Sequence, residues 1–221
     1  RGRGRNGGPG NADNRSHGTV RRIDALAHPY NQGPVRVGMQ VGPERVTQLI
    51  HVLAGIKADP NPAVILGSTD QSPYAMAQLY QFLASGGEIQ PLHAVRGVLD
   101  PQGKLLKRYD KTPAPAQEGD SIAANLISIG LQQVVASGTA QRLNADGLGR
   151  LQPAGQTGTT NAGRDSRHAG STGYHLAAIR PVNDQNEQAR LYGATRPTRA
   201  ASGIFPPPPP PPPHASNNGL D

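Results

Sequence analysis

The 221 residues carry a formal net charge of +7, and 28 glycines and 22 prolines accompany a hydrophobic fraction of 35%, below that of an ordinary compact domain. The absence of cysteine excludes a disulfide framework, thiolate catalysis and the common structural zinc sites. No apolar run is long enough to cross a bilayer and none follows the opening arginines, so neither a span nor a secretion signal is expected.

Residues 1–18 are Gly, Arg, Asn and Asp without periodicity, a composition that cannot offset the entropy of ordering, and are expected to be disordered. A short helical turn is predicted over 23–27; Pro29, Gly33 and Pro34 then interrupt, and 28–32 reads as a loop. Pro43 opens a helix with Val46, Leu49, Ile50 and Leu53 on one face, and Gly55 stops it. Ser72 as cap and Pro73 at the first helical position begin a second helix that ends at Gly86 and Gly87. Two short β-compatible runs, 93–99 and 104–109, flank a turn at Asp100 to Gly103. Asp120 or Ser121 is expected to cap a third helix carrying Ile122, Leu126, Ile129, Val134 and Val135 and closing at Gly138.

Beyond it, 151–161 and 175–179 read as strands, the second interrupted by Arg180 and Pro181. Eight prolines, Pro206 to Pro213, predict a polyproline II rod without a core. The seven histidines show no metal-ligand spacing, and no metal or cofactor is expected. Alternating helices and strands give an α/β or α+β class. Three segments are expected: a disordered head, 1–18; a folded part, 19–195; and a disordered polyproline tail, 196–221.

Several stretches are identifiable in order along the chain. Leu66, Gly67 and Ser68 precede Ser72 and Pro73; Ala77 runs through to Gly87; Gln132 to Val135 lead to Gly138 and Thr139; Ala154 to Asn161 read Ala-Gly-Gln-Thr-Gly-Thr-Thr-Asn. Together they resemble the C-terminal part of the transpeptidase domain of class A penicillin-binding proteins, the 1B type in particular. The resemblance implies a partial penicillin-binding transpeptidase fold, a mainly antiparallel sheet covered by helices. It further implies a serine D,D-transpeptidase of peptidoglycan synthesis, with stem peptides and β-lactams as partners, at the periplasmic face of the inner membrane.

Such enzymes carry Ser-x-x-Lys with the nucleophile, Ser-x-Asn on a loop and Lys-Thr-Gly on a strand beside the site. The third motif falls on Gln156, Thr157, Gly158 and Thr159. By resemblance the two threonine hydroxyls hold the substrate carboxylate, Gly158 admits the substrate backbone, and the Thr159 N–H contributes to the oxyanion hole. Gln156 stands where the family has lysine, so weaker carboxylate binding is expected. The second motif aligns with Pro29, Tyr30 and Asn31: Asn31 matches the residue that binds the substrate amide, while proline replaces the proton-relaying serine.

No serine in the chain is followed by lysine at the third position, so no catalytic set is complete. The family's glycosyltransferase domain and membrane anchor would lie upstream. The expectation is a catalytically inactive fragment, without a nucleic-acid partner. The alternative is a non-enzymatic interaction protein acting through its Arg-rich head and polyproline tail. Arg167 and His168 stand where the family favours Trp and an aromatic, and Arg180 and Pro181 where it favours Trp and Val. The two arginine replacements are expected to put unpaired charge into buried positions.

Overall fold

A computed structural model describes residue 15 and residues 17–28, 30–69, 71–110, 112–159, 166–173, 175–180, 200–201 and 203–205. Residues 1–14, Pro29, Asn161, Pro181 and the polyproline run lie outside them, and with them the expectations placed there.

The chain begins with α1 (Arg22–Ala27), whose Ala25 and Ala27 are buried. The expected loop over 28–32 ends one residue early, at Asn31, and Gly33 and Pro34, expected to interrupt, lie instead in the first turn of α2 (Gln32–Val41). First-turn amides have no acceptor within the helix, so proline forfeits nothing at Pro34. Gly42, at φ 98°, turns the chain directly into α3 (Pro43–Ala54), which Gly55 closes in the left-handed conformation at φ 66°. Ser72 caps α4 (Pro73–Ala84) as expected, its Oγ accepting from the Ala75 N–H at 3.1 Å. Leu53, Phe82 and Ala124 form the smaller of two cores, with Leu79, Leu83 and Ile89 packed against it.

A two-stranded antiparallel hairpin, β1 (Gly97–Leu99) and β2 (Leu105–Arg108), turns on Asp100. Its Oδ1 accepts from the Gln102 and Lys104 N–H groups at 3.0 and 2.8 Å. The long helix α5 (Glu118–Ser137) starts before the expected caps, and Gln117 ahead of it makes no side-chain cap. Asp120 instead sits with Glu118 in the first turn, where carboxylates complement the helix dipole. A short α6 (Arg142–Ala145) follows.

The C-terminal sheet is antiparallel in the order β3 (Ala154–Thr159), β4 (Ser166–Ser171), β5 (Leu176–Ile179). It packs on the larger core, in which Ala27, Val134, Val135, Leu143, Ala177 and Phe205 are all buried. Strand β4 has almost no β-branched or aromatic residue to announce it; pairing on both edges makes it a strand.

The arginines correct the expectation of unpaired charge. Arg167 is half-buried and its Nη1 donates to the Thr69 carbonyl at 3.1 Å; the Arg180 Nη1 donates to the Gln71 carbonyl at 3.3 Å. Two guanidinium groups from neighbouring strands thus hold the connection that leads into α4. Strand β5 ends at Ile179, so Arg180 lies just past the ladder rather than within it. Among the described residues, no helix is long and apolar enough to cross a membrane.

Candidate functional site

Strand β3 has β4 on one side and no strand on the other among the described residues. An unpaired strand edge presents backbone donors and acceptors to whatever lies beside it. The Thr157 N–H donates to the Gln156 Oε1 at 2.9 Å, so it faces away from β4. Because N–H groups alternate sides along a strand, the Thr159 N–H faces the same free edge. Gly158 pairs with Arg167 in register. Among the described residues, a Cβ built at Gly158 would meet only the Arg167 Cβ, at 3.9 Å, so none of them fills the space beside it.

Behind this edge stands a polar network. The Gln156 side chain reaches α1, its Nε2 donating to the Leu26 carbonyl at 3.1 Å. Its Oε1 accepts from the Thr139 hydroxyl at 3.2 Å, and Thr139 in turn accepts from the Thr157 hydroxyl at 2.9 Å. The tight turn after α5 places Thr139: the Gly138 and Ala140 N–H groups both donate to the Val134 carbonyl, at 2.9 and 3.2 Å. A side chain at Gly138 would collide with the Ala27 carbonyl, so glycine allows α5 and α1 to meet here.

Asn31 lies five residues beyond Leu26, just before α2. Its carbonyl accepts from the Val35 N–H at 3.1 Å, and its side chain makes no cap on the helix. Tyr30 stacks on His17 with centroids 4.1 Å apart and tilts against His28 at 5.4 Å. The Gln156 side chain thus joins β3 to α1, the helix that precedes Asn31.

The sequence reading missed the role of two residues. Thr139 was seen only as part of a family-like stretch; its hydroxyl sits 17 and 18 residues from its partners and carries no local signal. His168, opposite Thr157 in register, is 1% exposed. Neither of its ring nitrogens has a partner among the described residues, and burial pushes its pKa down to about 4. Its place where the family favours an aromatic marked the position, but only the sheet packing shows that the imidazole is buried there without a partner among the described residues. No group of three or more His, Cys, Asp or Glu side chains suited to a metal comes together among the described residues.

Residues 48–189 match the family described as the penicillin binding protein transpeptidase domain. Penicillin-binding protein 1B of Vibrio cholerae is 37% identical over 194 residues, covering 86% of this chain and 24% of that protein. The Escherichia coli protein of the same name is 36% identical over 192 residues, covering 85% and 22%. Among solved structures, penicillin-binding protein 1A from Haemophilus influenzae superposes with a TM-score of 0.77 at 19% identity, over 88% of this chain and 35% of that one. An imipenem acyl-enzyme complex of penicillin-binding protein A from M. tuberculosis gives 0.68 at 15%, over 87% and 50%. The chain spans about a quarter of the length of the curated relatives it matches.

Proposed function

This chain belongs to the penicillin-binding protein transpeptidase family, and from that premise we propose that the free edge of β3 is the ligand-binding wall of a D,D-transpeptidase site. A peptidoglycan stem peptide, or the β-lactam that imitates its terminus, lies extended along Gln156 to Thr159. Open space at Gly158 carries this reading: a strand edge that has no Cβ at its midpoint admits a second backbone at close range. Thr159 contributes its N–H to the oxyanion and Thr157 its hydroxyl to the ligand's terminal group. Asn31 engages the ligand's amide. Such ligands place the site on the periplasmic side of the inner membrane.

Acyl transfer also requires a hydroxyl whose proton a neighbouring base removes. These 221 residues contain no Ser-x-x-Lys, and Pro29 occupies the relay position. The chain therefore supplies the binding wall and not the nucleophile, and binds without acylation.

Titrating the ¹⁵N-labelled chain with millimolar N-acetyl-D-alanyl-D-alanine tests this wall by NMR. Shifts are expected at the amides of 157–159, with affinity about tenfold lower in Gly158→Ala, whose methyl fits the fold but occupies the ligand's path. Shifts confined to residues remote from β3, or unchanged affinity in the variant, would show that the wall is elsewhere.

A further inference from the structure

Counting protons in the network behind β3 fixes the direction of every hydrogen bond in it. The Gln156 amide can face only one way, since Nε2 meets a carbonyl, Leu26, while Oε1 meets an N–H, Thr157. Oε1 accepts only, so the Thr139 hydroxyl must give it its single proton. Thr139 then has lone pairs alone for Thr157, and the 2.9 Å contact between the two hydroxyls requires Thr157 to donate inward.

We infer that Thr139 is a positioning residue which, anchored by Gln156, turns the Thr157 hydroxyl proton inward, so that the β3 edge offers ligands an acceptor at Thr157 and a carboxylate binds there only once that proton has turned outward. This rests on the reading of β3 as the ligand wall. For Thr157 to donate outward and still bond Thr139, the Thr139 proton must leave Gln156. One neutral hydrogen bond is lost, a penalty of about fivefold in carboxylate affinity.

The test compares N-acetyl-D-alanyl-D-alanine with its C-terminal carboxamide by NMR titration of the whole chain. In the wild type the carboxylate bears this penalty, whereas the carboxamide, which can donate to Thr157, does not. Thr139→Val removes the inward acceptor and shifts the affinity ratio about fivefold toward the carboxylate, while Thr139→Ser, which keeps the hydroxyl, retains the wild-type ratio. A merely structural role for Thr139 would weaken both probes alike. A ratio that Thr139→Val leaves unchanged, or that Thr139→Ser shifts as far as Thr139→Val does, overturns the inference. If neither probe moves β3, the ligand wall itself is wrong, and spectra without ligand decide the proton's direction. A slowly exchanging Thr157 hydroxyl proton, lost in Thr139→Val, upholds the inward orientation; exchange at the rate of a solvated threonine refutes it.

Discussion

An imidazole with almost no solvent exposure and no partner among the described residues makes His168 a titrating weakness in the sheet. Its proton is disfavoured in the fold, where the pKa falls to about 4, and free to bind in the unfolded chain, at the ordinary 6.5. The unfolded state thus takes up more protons, so stability rises with pH and is lost as pH falls from about 6.5 toward 4. Between pH 7 and pH 5 the loss comes to about 2 kcal/mol. Urea melts at the two pH values should show it, and His168→Phe should remove most of the difference; an equal pH dependence in the variant would assign it to other groups. Gln156 to Thr159 could be proposed as a binding wall from sequence, because they lie consecutively within an ordered resemblance. Thr139 and the Leu26 carbonyl could not, because only the packing of α5 and α1 against β3 brings them to Gln156.

Helix starts marked by serine and proline could be read directly, as at Ser72, because the capping bond is local. Elements made by their neighbours could not. Strand β4 is a strand through pairing on both sides, and α2 begins across a glycine and a proline that ordinarily interrupt. The same neighbours give Arg167 and Arg180 carbonyl acceptors, which the resemblance, setting these arginines where the family favours aromatics, gave no reason to expect. Replacing Arg167 with Ala removes a charge-assisted bond to the Thr69 carbonyl and is expected to cost about 1–2 kcal/mol. Hydrogen exchange should quicken first in the connection of residues 69–72 and the start of α4. Uniform protection in the variant would mean that the guanidinium bond contributes nothing there.

Taken whole, the molecule covers only part of its apolar surface. Helix α5 buries Leu131, Val134 and Val135, but Ile122, Leu126 and Ile129, one line at helical spacing, remain 55%, 64% and 54% exposed. The sequence pattern grouped all of these except Leu131 on one helix, and could not distinguish the half that meets α1 and β3 from the half that does not. Surfaces of this kind promote association. Sedimentation should therefore detect concentration-dependent self-association that Leu126→Lys reduces while leaving the melting temperature within a few degrees. Association unaffected by that change would locate the contact on another face.

We propose that the chain presents a transpeptidase's binding wall without the chemistry of acylation. Incubation with benzylpenicillin, denaturation and intact-mass spectrometry tests it most directly. With no base-activated serine in the sequence, the mass is expected to remain that of the unmodified polypeptide at every drug concentration and time. An added mass of one penicillin, formed stoichiometrically and blocked by a second β-lactam, would contradict it.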